Sequence, residues 1–206
     1  MMNRKRTLLR VAGLTMALAF AGWARGDAED EIGRLASLMN WKTGTVAADI
    51  GAGDGSYSFA AAERVGAAGR VFATEIDKEK LEELRVQARK RKLQNVTVIE
   101  SKEADTNLPT ACCDAIYLRR VYHHLTRPVE FDASLVRSLK VGGHLAIIDF
   151  PPRAGLPEVK GVPSNRGGHG IPQNVVIEEL TGAGLNLEKV VDDWPGESYC
   201  VVLKKN

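Results

Sequence analysis

Cysteine is scarce in this chain of 206 residues: there are three, and Cys112 and Cys113 are neighbours while Cys200 is distant. An odd count in that pattern permits no complete disulfide framework. No nearby run of Cys and His would complete a metal site around the adjacent pair, so both are expected as turn residues ahead of a strand. Charge of one sign is also missing. Lys plus Arg total 28 against 26 for Asp plus Glu, a net +2, which gives no general electrostatic reason to expect a polyanion such as nucleic acid. The local run Arg85 to Lys92 reads instead as the basic end of a surface helix. No Gly-x-Ser-x-Gly nucleophile turn occurs, nor any metal-like spacing of His, Cys, Asp and Glu. Finally, the chain is too short for two full catalytic domains, and one compact domain is expected from residue 27 onward.

No apolar run reaches the ~20 residues of a spanning helix. The first 26 residues nevertheless look like an export signal, with a basic start, an apolar middle from Val11 to Trp23 and small residues near Ala24. Lys5-Arg6-Thr7-Leu8-Leu9-Arg10 is a weak match to a twin-arginine signal. Export to the periplasm or envelope is the expectation, an uncleaved leader would tether the protein to a membrane, and a cytoplasmic protein with an amphipathic N-terminal helix is the alternative.

The rest alternates between strand-like and helix-like stretches. Ile32, Leu35, Ala36 and Met39 share one helix face; strand candidates follow at Val46 to Ile50, Val71 to Thr74, Val96 to Ile99, Ala115 to Leu118 and Leu145 to Phe150. Helices are expected over Tyr57 to Val65 and Asp77 to Lys92, and between Pro128 and the Gly142-Gly143 stop. After a helix over Gln173 to Ala183, Leu187 to Val191 and Tyr199 to Leu203 flank a Trp194-Pro195-Gly196 turn, which reads as an edge hairpin. The expected fold class is therefore α/β, a doubly wound and mainly parallel seven-stranded sheet with an antiparallel C-terminal hairpin. Pro151 to Ile171 is the one long connection, and such a loop in a compact domain is usually a lid or mobile segment.

The informative residues are Ala48-Asp49-Ile50-Gly51-Ala52-Gly53-Asp54-Gly55, where a strand turns into a helix. Glycines there let the backbone bend sharply and approach a ligand. Glu75 stands at the end of the next strand, where a carboxylate can accept both hydroxyls of a ribose. A dinucleotide fingerprint carries its third glycine one place later, where this chain has Ser56. The observed spacing matches S-adenosylmethionine enzymes instead. Asp49 and Asp54 suit a cationic sulfonium and amino group and would oppose a pyrophosphate.

With VFATEID, NVTVIESKEADTNLP, DAIYLRRVYHHL and LKVGGHLAIIDF in order behind it, this stretch resembles the class I S-adenosylmethionine-dependent methyltransferases, particularly small bacterial ones. The resemblance implies a Rossmann-like fold and a cofactor site built from Asp49, Gly51, Ala52, Gly53 and Gly55, with Glu75 on the ribose, Ile76 beside it and Arg119 at the end of the fourth strand. The family's adenine-side acid falls on either Glu103 or Asp105. Tyr122, His123 and His124 are the catalytic candidates, since a hydroxyl or protonated-amine acceptor must lose a proton. His169 on the long loop could close over the acceptor or be an ordinary surface residue. A small-molecule acceptor is expected. The alternatives are a protein carboxyl methyltransferase, because Val71 to Asp77 is similar to the isoaspartyl repair enzymes, and an envelope protein that binds the cofactor without turnover.

Overall fold

The computed structural model describes residues 27–206, so the leader-like stretch and its expected cleavage lie outside the described residues. Helix α1 runs through residues 27–38 and turns Ile32 and Leu35 into the protein, with Met39 of the following turn packed beside them. It is followed by β1 (Val46–Ile50), α2 (Ser56–Val65), β2 (Arg70–Glu75), α3 (Lys78–Lys90), β3 (Val96–Glu100) and β4 (Cys113–Arg119). Then come α4 (Pro128–Ser138), β5 (Leu139–Asp149), α5 (Gln173–Gly182), β6 (Asn186–Trp194) and β7 (Ser198–Lys204).

These strands form one seven-stranded sheet in the order β3-β2-β1-β4-β5-β7-β6. The first five are parallel, and β7 inserts antiparallel between β5 and β6 as the hairpin expected at the C-terminus. Strand order reverses between β1 and β4, and at such a switch the two crossovers leave in opposite directions and open a crevice at the C-terminal strand ends. The glycine loop after β1 lies there.

Period-two alternation decides what each face covers. Along β4, Ile116 and Leu118 join Leu135, Ile147 and Leu180 under α4 and α5, while Ala115 and Tyr117 join Ile32, Ala61 and Val65 under α1 and α2. Helix α3 is positioned by its cap: the Asp77 carboxylate accepts from the Glu79 and Lys80 amides, and Arg89 and Lys90 stand in the last turn. That confirms the basic run as a helix end.

One boundary departs from the sequence reading. Helix α4 stops at Ser138, and β5 begins at Leu139 and runs through Gly142 and Gly143, which were expected to end the helix. The tail makes the difference: the Gly142 amide donates to the Lys205 carbonyl, the Lys205 amide to the Gly143 carbonyl, and the Lys205 ammonium to the Val136 and Leu139 carbonyls that the helix end leaves open. A pairing across more than sixty residues leaves no local signal.

Among the described residues no helix is long and apolar enough to cross a membrane, and no group of His, Cys, Asp and Glu could hold a metal ion. Cys112 and Cys113 are unbridged, with sulfurs 2.7 Å apart, at the end of β4 remote from the crevice.

Candidate active site

The crevice holds a cavity of about 500 Å³, within the range of small-molecule sites. Its floor is the glycine loop, where Gly51, Gly53 and Gly55 all have positive φ. The three differ in what surrounds them. A Cβ on Gly51 would come within 2.5 Å of Val121, and one on Gly55 within 2.7 Å of Phe59 and Leu84. Gly55 therefore serves the packing of α2 and α3 onto the sheet, and it does not line the cavity. On Gly53 a Cβ would meet no protein atom nearer than 4.0 Å and would occupy the cavity itself, as expected of a glycine kept bare for a ligand. Ala52 is buried and holds the bend through its amide, which donates to the Thr74 carbonyl.

Glu75 is buried at the tip of β2, its carboxylate accepting from the amides of Gly53 at 3.1 Å and Ile76 at 2.8 Å. With a longer contact from the Asp77 amide at 3.4 Å, these bonds fix the carboxylate at the cavity wall and leave about one of its roughly four acceptor sites open. Ile76 is 53% exposed at the cavity wall, an apolar surface suited to the flat face of a base. Of the two candidate acids in the next turn, Glu103 lines the cavity. Asp105 is turned away: its carboxylate accepts from Arg137 at 2.8 Å and from the Asn107 amide, and it takes no part in the site.

Asp49 lies beneath the loop rather than in the cavity. It is buried and accepts from the Ser58 hydroxyl at 2.6 Å. Burial pushes its carboxyl up to about 7, and the Glu75 and Asp54 charges add to this while the Ser58 hydrogen bond opposes it. Arg119 lines the cavity and is gripped from behind by Glu31 of α1, with contacts of 3.1 and 3.0 Å. Glu31 also accepts from Tyr57 at 2.7 Å and Trp194 at 2.7 Å. Arg119 thus divides the glycine-floored cavity from a larger one of about 660 Å³ between α1 and the β6–β7 tip.

The cavity wall also includes part of the 3-10 turn Tyr122–His124, where the three catalytic candidates separate. Tyr122 is corrected to a structural residue. Its ring has no exposure and its hydroxyl contacts Asp132 at 3.0 Å and Glu179 at 2.9 Å. Burial, with those two carboxylates, holds the phenol far above its ordinary range, so it cannot accept a proton in use. His123 is 2% exposed; Asp149, fully buried at the end of β5, contacts its Nδ1 at 2.8 Å and accepts from its amide at 3.1 Å. The His123 Nε2 has no hydrogen-bond partner among the described residues. His124 is exposed and lines the cavity, its ring centroid 4.0 Å from that of His123. Although part of the ring is open to solvent, the protein packed around the rest desolvates it and, with the neighbouring imidazoles His123 and His169, holds the His124 pKa below its ordinary value, against the pull of Asp149.

The loop after β5 supplies a roof. His169 sits 5.4 Å from His123 and 6.0 Å from Phe150 by ring centroid, and its Nδ1 lies 2.8 Å from the Pro157 carbonyl of the same loop. Arg166 ties this loop down. It is 1% exposed and donates to the Tyr122 and Leu125 carbonyls, at 3.1 and 2.8 Å, and to both Glu179 oxygens. Sequence reasoning assigned no role to Asp149 or Arg166. An acid ending a parallel strand at the crevice was a signal for the first; for Arg166 there was none.

The cavity thus offers a bare Gly53, a buried acceptor at Glu75, an apolar wall at Ile76 and acidic residues suited to a cation. They fit a sulfonium nucleoside. A family model described as a methyltransferase domain matches residues 48–147. An S-adenosylmethionine-dependent methyltransferase from Aquifex aeolicus is 27% identical, with TM-score 0.70 over 84% of this chain and 88% of that one. Another from Methanosarcina mazei is 13% identical, with TM-score 0.63 over 80% and 93%. A protein from Bordetella parapertussis described as possibly exported is 16% identical, with TM-score 0.66 over 86% of this chain and 66% of that one, a likeness of fold. No curated relative matches the sequence. Residues 48–147 are thus a methyltransferase domain, and the strand order and glycine-floored cavity around it are those of the class I S-adenosylmethionine-dependent methyltransferase fold.

Proposed function

We propose that this enzyme methylates a small molecule at an atom that must lose a proton, with His124 as the base. The observation that carries the reading is one cavity lined by both Glu75 and His124. Glu75 would hold the ribose, Ile76 and Glu103 the adenine, and Gly51, Gly53 and Arg119 the methionine part. When bound, the cofactor supplies a methyl activated for in-line displacement, and its sulfur leaves as a neutral thioether.

The chain's own residues supply orientation and proton acceptance. His124 has a depressed pKa, so it is unprotonated at neutral pH and can take a hydroxyl proton as the oxygen–methyl bond forms. His123, held through Nδ1 by Asp149, packs its ring at a tilt of 39° against His124 and positions it. The small size of the acceptor is supported by the roof, which Arg166 anchors directly to the histidine turn.

The test pairs calorimetry with a methylation screen. S-Adenosylhomocysteine is expected to bind, Glu75→Ala to abolish binding, and His124→Asn to leave it unchanged while lowering turnover by about a hundredfold or more. Turnover of His124→Asn within twofold of the parent would remove the base, and binding without transfer to any acceptor would favour a non-catalytic binding protein. Methylation of peptide carboxylates in preference to small molecules would establish the carboxyl methyltransferase alternative.

The leader reading also stands as a proposal, that the enzyme works outside the cytoplasm after cleavage near residue 26. The N-terminal residue of protein recovered from its native host tests it: a start at Met1 or Met2 overturns cleavage.

A further inference from the structure

Four arginines concern the two cavities, Arg119 and Arg120 on the wall of the glycine-floored one and Arg34 on that of the larger one, with Arg153 beside Arg120, and three of the four have carboxylates. Arg119 is paired with Glu31, Arg34 with Asp193 at 2.8 Å, and Arg153 with the 85% exposed Glu197 at 3.0 Å. Arg120 has no carboxylate within ion-pair distance among the described residues, and its buried Nε has no partner. Its Nη2 donates to the Gly196 carbonyl at 3.0 Å, and the Arg153 Nη2 donates to that same oxygen at 3.3 Å. Two guanidinium groups thus converge on one neutral acceptor. A guanidinium carries five donors and seeks bidentate, anionic partners, so a lone carbonyl leaves most of that capacity unspent.

The placement of the pair matters for chemistry. Both guanidinium carbons lie against the Phe150 ring, Arg153 at 4.8 Å and Arg120 at 5.9 Å from its centroid. The same ring touches His123, at 4.8 Å between centroids. The paired charges and the base dyad are therefore separated by about the width of one aromatic ring. Arg120 also lines the same cavity as His124. The Gly196 carbonyl belongs to an exposed hairpin tip, where a Cβ would stand 2.4 Å from the Arg120 Nη2. The Ser198 hydroxyl donates to the same oxygen at 3.3 Å, so an anion that takes over the two guanidinium groups leaves that carbonyl one donor.

We propose that Arg120 and Arg153 form an anion clamp for the methyl acceptor, which is a small organic acid, such as a hydroxylated carboxylate, whose anionic group replaces the Gly196 carbonyl while its nucleophilic atom faces His124. This rests on the functional reading above. It deepens it by naming the charge of the substrate. A negative group there also meets the positive sulfonium across the cavity, so cofactor and acceptor favour each other's binding.

The test titrates the protein, saturated with S-adenosylhomocysteine, with a matched set of rings: benzoate and 4-hydroxybenzoate as anions, 4-hydroxybenzamide as the neutral analogue and tyramine as the cation. Either anion is expected to bind at least about tenfold more tightly than the amide, with tyramine weakest. Arg120→Met and Arg153→Met are each expected to erase that preference while S-adenosylhomocysteine affinity stays within about threefold; Arg153, on an exposed loop, guards against a variant that fails to fold. Equal binding of anion and amide, binding of neither anion at millimolar concentration, or a preference that survives both substitutions overturns the clamp. So does loss of S-adenosylhomocysteine binding in Arg120→Met, which would assign that side chain to the cofactor's carboxylate. Failure of the parent protein to bind S-adenosylhomocysteine at all would strike the cofactor site instead, so the two readings fail separately.

Discussion

Asp49 carries the most informative single charge. Buried under the glycine loop, its carboxyl is raised from 3.8 to about 7. Between those values the folded protein retains a proton that the unfolded chain has already lost, so this residue makes stability fall as pH rises from about 4 to about 7, with no further change above. Asp49→Asn is expected to flatten that slope in urea titrations repeated across the range, and an unchanged slope would show that Asp49 does not hold the proton. The cofactor adds a second consequence. S-Adenosylmethionine carries one more positive charge than its demethylated product, and a cation nearby favours ionised Asp49. The affinity ratio of donor over product is therefore expected to rise as pH increases through 7 in the parent protein and to stay level in Asp49→Asn. Calorimetry in buffers of different ionisation enthalpy reads the matching proton release directly.

At the scale of elements, the connection between β5 and α5 behaves as part of the catalytic turn. Arg166 bridges them through a planar fork, with Glu179 of α5 on one side and the Tyr122 and Leu125 carbonyls on the other. Asp132 belongs to the same network, and burial pushes it up to about 7, with the Glu179 charge adding and the Tyr122 hydrogen bond opposing. Arg166→Met removes the only guanidinium in it and leaves Glu179 facing two open carbonyls, a change of about 3 kcal/mol or more when a buried pair loses one partner. The expected result is local: faster proteolytic cleavage within residues 151–171, mapped by mass spectrometry, with little change in cofactor affinity. Arg166→Lys keeps the charge without the fork and should fall between. Cleavage no faster than in the parent would show that the loop is held by something else.

This network also shows where sequence reading stops. The glycine loop, the acid at the end of β2, the alternation of strands with helices and the edge hairpin were legible because each follows from local chemistry: bare glycines at a strand-to-helix bend, an acid at a strand end, apolar periodicity. Choosing Glu103 over Asp105 depended on Arg137, thirty-two positions away from Asp105, and removing Tyr122 from the catalytic set depended on Asp132 and Glu179 arriving from two helices. The premature β5 start has the same origin, a C-terminal tail that pairs back onto Gly142 and Gly143. Such partners are set by tertiary packing, which leaves no periodicity to read.

For the molecule as a whole, Glu31 is the point at which the parts of the sheet's α1 side meet. A single buried carboxylate on α1 accepts from Arg119 at the end of β4, from Tyr57 in the first turn of α2 and from Trp194 at the end of β6. Burial alone would raise its pKa, but the hydrogen bonds from Arg119, Tyr57 and Trp194 together hold it below the ordinary value of 4.5. With a folded pKa depressed below the unfolded one, its contribution is present above about pH 4.5 and is lost as pH falls through the folded value. Glu31→Gln keeps the size and one acceptor, but it puts an amide N–H₂ against donors and leaves the Arg119 guanidinium without its counter-charge. Because Arg119 is 26% exposed and can rehydrate, the expected cost is about 2 kcal/mol rather than the full penalty of a buried orphan. Arg119 also forms the wall between the two cavities, so its release should weaken S-adenosylhomocysteine binding although Glu31 does not line the glycine-floored cavity. Urea denaturation with calorimetry measures both effects. A Glu31→Gln protein that loses stability at neutral pH while binding the product as tightly as the parent would mean that α1 supports the fold without shaping the site.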